Sequence, residues 1–191
     1  ALDPDLPRAH RVLAGYYGSA GDRTRSLEEL GRALRGDPSD PQSVADRGWA
    51  LFYRGERDEG IHGLERAASL DPRNPARLLD VADAIVRRDD YRTAEEYYDR
   101  AITIAPDKPS SHLLKVWINL MQGRVERARA AMREGVHQVG VSKLLSQVSL
   151  ETPSWLPIFR ILDDAYGPAA GQLSWDPFGL ASVDYYLANA K

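Results

Sequence analysis

The sequence contains no cysteine, carries little net charge and has no long apolar run. Without cysteine, the chain cannot form a disulfide, a thiolate zinc site or a cysteine nucleophile. A formal net charge of −3 at pH 7 supplies no overall basic field for nucleic acid. With 28% charged residues and no visible export leader, the chain offers neither a membrane span nor a secretion signal. We therefore expect a cytoplasmic protein that binds neither nucleic acid nor membrane.

Proline, in contrast, recurs at a fixed interval. Three Asp-Pro pairs lie 34 residues apart, at Asp3-Pro4, Asp37-Pro38 and Asp71-Pro72, and Ala105-Pro106 continues the series. A second series with the same step consists of Pro7, Pro41, Pro75 and Pro109. A repeat of this length suits two helices of roughly 13 residues each and two tight turns. Such a hairpin cannot bury its apolar face alone, so it must stack on its neighbours.

The period also predicts where each helix begins and ends. The second proline series marks the start of each first helix, because a missing N–H does no harm at the first helical position. Asp40 and Asn74 precede two of these prolines as N-caps. The exits from the first helices share one register, in which a left-handed conformation is needed: Gly21, Gly55, Asp89 and Gly123. The second helices are predicted over Thr24 to Arg35, Arg57 to Leu70, Tyr91 to Ile104 and Arg124 to Gln138.

Three registers hold small residues in nearly every unit. They are Ala14, Gly48, Ala82 and Val116; then Ser26, Gly60, Ala94 and Ala128; then Ala33, Ala67, Ala101 and Gly135. Small residues at fixed points on facing helices permit close interhelical approach, since larger side chains would wedge the helices apart. We expect these registers at the helix crossings.

With these registers in place, residues 5–140 resemble four consecutive tetratricopeptide repeats. The turn glycine, the small residues and the closing proline all fall where that family has them. The resemblance implies an all-α, right-handed superhelical solenoid of antiparallel helix hairpins, whose first helices line a concave groove. In the family, this groove holds peptides or partner helices, so a protein or peptide partner is expected. The chain departs from the pattern where the family often has tryptophan, at His10, Val44, Leu78 and His112.

The period divides the chain into predicted segments. These are the tail of an upstream repeat (1–4), repeats 1 to 4 (5–38, 39–72, 73–106 and 107–140), a degenerate, irregular helical capping unit (141–182) and the truncated first helix of a further repeat (183–191). This layout, with the restart at Tyr185-Tyr186-Leu187-Ala188, more weakly resembles the repeat regions of bacterial signalling proteins such as serine/threonine kinases, cyclases and transcriptional regulators. That resemblance implies an excised, cytoplasmic regulatory module.

One known use of such a groove is the clamp with which chaperone adaptors of the family hold a C-terminal carboxylate. Arg11 fits the first basic position of the clamp. Its asparagine positions hold Gly15 and Asp46, and its later basic positions hold Ala76 and Asp80. Acidic groups in place of cations would repel the ligand's carboxylate. A chaperone tail is therefore not the expected partner.

The inward registers of the first helices form an apolar trough with a stripe of carboxylates. Aromatic residues flanked by charge are common anchors of protein interfaces. The residues predicted to contact a partner are Arg11, Asp46, Trp49, Phe52, Asp80, Asp83 and Trp117. The partner segment should accordingly be apolar with basic residues. The alternative for Trp117, and to a lesser degree for Trp49, is packing inside the protein, in the case of Trp117 against the chain's own C-terminal part.

The sequence contains no constellation typical of catalysis. It has no H-E-x-x-H motif, nucleophile elbow or glycine-rich phosphate loop, and its histidines are scattered. His10 and His112 share a register and are expected to pack between helices. We therefore predict a non-catalytic interaction scaffold without cofactor or metal. The alternative is self-association into a structural solenoid, by stacking of open ends or by a C-terminal helix entering the groove of the next copy.

Overall fold

A computed structural model describes residues 6–140 and 143–144 of the chain. Over these residues it contains α-helices and no strand. In chain order the helices are α1 (Pro7–Ser19), α2 (Arg23–Gly36), α3 (Pro41–Arg54), α4 (Arg57–Leu70), α5 (Pro75–Val86), α6 (Tyr91–Ile104), α7 (Pro109–Met121) and α8 (Val125–Val139). The most extensive contacts join α1 to α2, α3 to α4, α5 to α6 and α7 to α8. The predicted helix hairpins are thereby confirmed.

The first helix of every hairpin begins at the proline that the period predicts. Both predicted N-caps are also present. The Asp40 carboxylate accepts hydrogen bonds from the backbone N–H groups of Gln42 and Ser43, and the Asn74 side chain accepts one from Ala76. These bonds satisfy donors that the first turn of a helix otherwise leaves without a partner.

The exit turns of the first helices adopt the predicted left-handed conformation. Gly21, Gly55 and Gly123 have φ angles of +83°, +110° and +67°, and Asp89 has +61°. Asp89 is the one non-glycine residue with positive φ among the described residues. Glycine carries no Cβ and adopts this region freely, while aspartate tolerates it better than most residues.

The small residues lie in the packed interior of the hairpins. All members of the three small registers are buried. The closest crossing lies between α3 and α4. A Cβ added to Gly48 would lie 2.9 Å from the carbonyl oxygen of Gly60, and a Cβ added to Gly60 would lie 2.7 Å from that of Gly48. These helices therefore touch backbone to backbone, and no side chain fits between them.

The chain divides into two compact units, Ala1–Ile104 and Ala105–Lys191. In the first unit, α2 packs on α3 and α4 packs on α5. The first helices of this unit are also neighbours, since α1 contacts α3 and α3 contacts α5. Successive hairpins of the first unit thus stack on one another, as a repeat that cannot bury its own apolar face requires.

The second unit has its own core between α7 and α8. The buried residues of this core are Leu113, Val116, Ala128, Ala131, Met132 and Leu144. Lys143 donates a hydrogen bond of 3.1 Å to the backbone carbonyl of Asp107. Leu144 and Lys143 are the described part of the predicted capping unit. The rest of that unit, with residues 1–4 and 183–191, lies outside the described residues, so those boundaries stay predictions.

Two histidines pack between helices, as their shared register predicts. His10 Nδ1 lies 2.7 Å from Glu29 Oε2, and both side chains are buried. His112 Nε2 donates a hydrogen bond of 2.8 Å to the carbonyl of Pro106. Each histidine thereby joins the first helix of its hairpin to a neighbouring segment.

Candidate functional site

Side chains from α1, α3 and α5 meet on one surface of the first unit, which we call the first-helix face. Its members are Arg11, Gly15, Asp46, Trp49, Tyr53, Arg77, Asp80, Asp83 and Arg87. Contacts between neighbouring helices define it. Arg11 approaches Asp46, Trp49 donates a hydrogen bond to Asp80, and the Arg87 guanidinium lies over the Tyr53 ring. Four of the predicted contact residues therefore form two directly contacting pairs, Arg11 with Asp46 and Trp49 with Asp80.

An aromatic cluster occupies the middle of this face. The rings of Trp49 and Tyr53 stack with centroids 5.5 Å apart and an angle of 21° between their planes. Tyr53 is 49% exposed, and the guanidinium groups of Arg23 and Arg87 lie 5.5 and 5.8 Å from its ring centre. Exposed aromatic rings next to guanidinium groups are typical of surfaces that bind proteins.

The structure corrects the prediction for Phe52. This side chain is only 6% exposed, and its ring meets that of Trp49 edge-on at 5.7 Å. It lies at the crossing with α4, where a Cβ added to Gly60 would come within 2.8 Å of its backbone nitrogen. Phe52 is therefore a core residue, and its ring packs against the buried side of Trp49. The neighbouring Tyr53 takes the exposed position.

A chain of hydrogen bonds fixes the orientation of the Trp49 indole. Trp49 Nε1 donates to Asp80 Oδ1 at 3.3 Å, and Asp80 Oδ2 pairs with Arg77 Nη1 at 2.9 Å. Arg77 Nη2 donates to Gln42 Oε1 at 2.9 Å, and Gln42 Nε2 donates to Asp46 Oδ1 at 2.8 Å. This network connects α3 to α5 and restricts the motion of the tryptophan ring.

The three carboxylates of the face have different partners. Asp80 is bonded to Arg77 and Trp49, and Asp83 pairs with Arg87 at 3.1 Å. Asp46 receives a hydrogen bond from the neutral amide of Gln42, while its Oδ2 lies 3.9 Å from Arg11, at the limit of an ion pair.

Burial has the same effect on two of these carboxylates. It raises the pKa of Asp46 and of Asp80, because loss of water destabilises the charged carboxylate. The neighbouring hydrogen-bond donors and arginines stabilise the charged form by less than this loss. Since Asp80 already has two direct partners, Asp46 is the carboxylate on this face that would gain most from another cation.

A pocket of about 260 Å³ opens beside Asp46, between the first and second hairpins. We call it the α1–α3 pocket. Its floor is apolar, and its walls are the aromatic pair, two glycines and a few polar groups. The lining residues are Ala14, Gly15, Gly18, Arg23, Ser26, Leu30, Asp46, Trp49, Ala50 and Tyr53. Its floor residues Ala14, Leu30 and Ala50 also form a buried apolar cluster.

Trp117, the remaining predicted contact residue, belongs to the second unit. It is partly buried and packs against the core cluster that contains Leu144. Most of that cluster comes from α7 and α8, so packing of Trp117 on the chain's own C-terminal part stays a prediction. Its role in partner binding stays a prediction.

Neither a metal cluster nor a membrane span is found in the described part of the chain. Within residues 6–140 and 143–144, no three His, Asp or Glu side chains come close enough together to hold a metal ion. No helix over the same residues is both long and apolar enough to cross a bilayer.

Comparison with known proteins agrees with this architecture. The family model described as tetratricopeptide repeat matches residues 11–75, 45–109 and 79–140, which together span more than half of the chain. The chain belongs to the tetratricopeptide repeat family. Its all-α solenoid of helical hairpins is the fold of that family, which serves as a scaffold for protein–protein interaction and is generally non-catalytic.

Solved structures with the same fold include PilF from Pseudomonas aeruginosa and MamA. PilF is 19% identical with a TM-score of 0.66, and the match covers 97% of this chain and 83% of that one. MamA is 14% identical with a TM-score of 0.59, covering 92% of each chain, and an RS-1 double mutant of MamA gives 14%, 0.64 and coverages of 100% and 99%. At these identities the likeness shows the fold alone. A comparison with curated proteins finds no match.

Some residues of the first-helix face are missing from the sequence prediction. Gln42 and Arg77 were not singled out, although they link Asp46, Asp80 and Trp49. A usable signal exists for these two residues, since Arg77 lies 35 residues after Gln42, one position more than the period. In a stack of tetratricopeptide repeats, that offset places their side chains at neighbouring positions on successive first helices.

Proposed function

We propose that the first-helix face of the first unit binds a peptide or helix of a partner protein, and that the chain is a non-catalytic interaction scaffold. The observation that carries this proposal is the stacked pair of Trp49, which is partly buried, and Tyr53, which is half exposed. The network through Asp80 and Arg77 holds the Trp49 ring in place. A rigid, exposed aromatic surface loses little conformational entropy on binding. The expected partner segment is apolar with basic residues.

The roles within the predicted set differ under this proposal. Trp49 is the anchor, and Tyr53 enlarges its surface. Asp80 positions Trp49, and Asp83 holds Arg87 against Tyr53. Asp46 is the carboxylate that orients a basic partner. The proposal also retains a cytoplasmic location and the role of a regulatory module within a larger bacterial protein, both inferred from the sequence.

The proposal is tested by replacing the anchor. Peptides selected from a displayed random library on the wild-type protein are titrated against Trp49→Ala and against Tyr16→Ala, which removes an exposed ring outside the first-helix face. We expect Trp49→Ala to cost about 2 kcal/mol or more of binding free energy, as for a hot-spot residue. Tyr16→Ala should bind as the wild type does, and circular dichroism checks that both variants fold. Unchanged affinity in Trp49→Ala would rule out this face as the binding surface.

A second candidate function is self-association through the outer face of α1. Val12 and Tyr16 are 68% and 69% exposed. In the second and third hairpins the register of Tyr16 holds Ala50 and Ala84, and both are buried. Apolar residues at a register that is covered in later hairpins favour stacking of another surface on α1. Light scattering across a concentration series distinguishes this function, because only stacking makes the mass rise, and Tyr16→Lys should prevent that rise.

A further inference from the structure

We propose that the α1–α3 pocket receives a basic side chain, arginine or lysine, of the segment bound on the first-helix face. This inference rests on the proposed function and adds to it the chemistry of one position in the partner. It assigns the pocket's space to the apolar stem of that side chain and the Asp46 carboxylate to its charged head.

The first argument is that two glycines of α1 leave this space open. A Cβ added to Gly15 would meet nothing within 4 Å, and one added to Gly18 would meet only ordinary contacts at 3.5 Å, to Arg23 and Ser26. Neither glycine has a positive φ. Glycine inside a helix lowers its stability relative to alanine. Neither crowding nor backbone conformation requires these two glycines, and their lack of side chains is what opens the pocket.

The second argument is the order of surfaces inside the pocket. Its apolar lining residues Ala14, Leu30 and Ala50 are buried, whereas the aromatic pair and the Asp46 carboxylate, which also line it, are more exposed. A lysine or arginine side chain has the same order, an apolar stem followed by a charged head. A cation near an indole ring is attracted by the ring's electrons, and tryptophan is the most favourable aromatic partner.

The third argument concerns the charges around the pocket. Asp46 Oδ1 accepts from Gln42, whereas Oδ2 lies 3.9 Å from Arg11. Arg23, the cation that lines the pocket, donates from Nη1 to the Gly18 carbonyl and lies over the Tyr53 ring. The carboxylate therefore retains capacity for a direct cation, while the guanidinium of Arg23 is already engaged. This difference favours a basic side chain over an acidic one.

The test uses pools of short, end-blocked peptides with mixed apolar flanks and one fixed central residue: arginine, lysine, citrulline, norleucine or glutamate. Binding to the full chain is followed by fluorescence anisotropy. We expect the arginine and lysine pools to bind about tenfold or more tightly than the citrulline and norleucine pools, and the glutamate pool to bind most weakly. Comparing arginine with lysine shows which head fits better. In Asp46→Asn the preference for a cation should disappear, while the affinity for the norleucine pool stays the same.

A second variant separates loss of the pocket from loss of the fold. Gly15→Leu fills the pocket while improving the helix, so it should abolish the preference for arginine and lysine without lowering Tm. Gly31→Leu is the matched control on α2, because its added Cβ would meet only the end of Arg35 at 3.8 Å and it does not line the pocket. It should keep the preference.

The outcomes distinguish this inference from the proposed function. Preference for the glutamate pool, persistence of the cation preference in Asp46→Asn, or unchanged binding in a folded Gly15→Leu protein would each overturn the basic pocket. Binding of the norleucine pool that still depends on Trp49 would leave the proposed function standing in those cases. Failure of all pools to bind the wild type would overturn both.

Discussion

At the scale of single residues, the glycines of this chain differ in what they do. Gly48 and Gly60 allow two helices to touch, whereas Gly15 leaves a pocket empty, and Gly31 does neither. The difference is a matter of distance. A methyl group added at Gly48 would meet backbone atoms that cannot move away, and one added at Gly31 would meet only the end of a flexible arginine. Glycine-to-alanine substitutions should therefore have opposite signs at these positions.

Gly48→Ala should destabilise the protein. The new Cβ would lie 2.9 Å from the Gly60 carbonyl oxygen and 3.0 Å from the Leu64 backbone nitrogen, so α3 and α4 must move apart. We expect a loss of about 1–3 kcal/mol in the free energy of unfolding, as for other overpacked crossings. Gly31→Ala, the control, should gain up to about 1 kcal/mol from helix propensity. Urea unfolding of both variants measures the difference, and equal stability would place Gly48 away from the crossing.

The binding residues show how far side-chain roles can be read from a register. Trp49 was predicted on the first-helix face and lies there, but Phe52, assigned to the same face, is buried. A helical period identifies a face about 100° wide, and residues at its edge turn toward the core or the solvent according to the neighbouring helix. The cations paired with Asp80 and Asp83 depend on rotamers, which a register does not specify.

At the scale of helices, the fold was predictable because its signals are local. Prolines mark the first residues of four helices, and left-handed residues mark their exits. The predicted bounds of the second helices agree with the observed ones to within one residue at each end. The division into two compact units was not predictable in this way, because the 34-residue period runs through the boundary at Ile104 without change.

The Asp40 cap makes the start of α3 sensitive to acid. Burial acts to raise the pKa of Asp40, but hydrogen bonds from the Ser43 hydroxyl and from the N–H groups of Ser43 and Gln42 outweigh it and hold the pKa below its ordinary value of 3.8. A carboxylate with a lowered folded pKa stabilises the protein above its unfolded pKa and loses this effect as pH falls through the folded value.

We therefore expect Asp40→Ala to cost about 1 kcal/mol near pH 7, as for other N-caps. The difference from the wild type should shrink as the pH is lowered below about 4, since protonation removes the charge that accepts these bonds. Chemical unfolding of both proteins across this range measures the difference. A gap that stays constant through the acid range would mean that the carboxylate's charge does not contribute to the cap.

At the scale of the whole molecule, each hairpin needs a cover for its apolar face. Each hairpin of a solenoid leaves an apolar face that the next must cover. The fourth hairpin places Leu113, Val116 and Met132 in its core, and Leu144, which follows its last helix, completes that core. This contact supports the prediction that the chain after Gly140 covers the fourth hairpin.

Leu144→Ala tests that prediction in the full chain. Leu144 is fully buried among α7 and α8 side chains, so its truncation removes apolar contact and leaves a cavity. We expect a loss of about 2–5 kcal/mol in the free energy of unfolding, measured by urea titration with circular dichroism. Lys143→Ala is the control, because this half-exposed side chain contacts Asp107 at the surface, and its removal should change stability by less than about 0.5 kcal/mol. If Leu144→Ala unfolds at the same urea concentration as Lys143→Ala, the segment after Gly140 does not cap the fourth hairpin, and the apolar surface of α7 and α8 must be covered in another way.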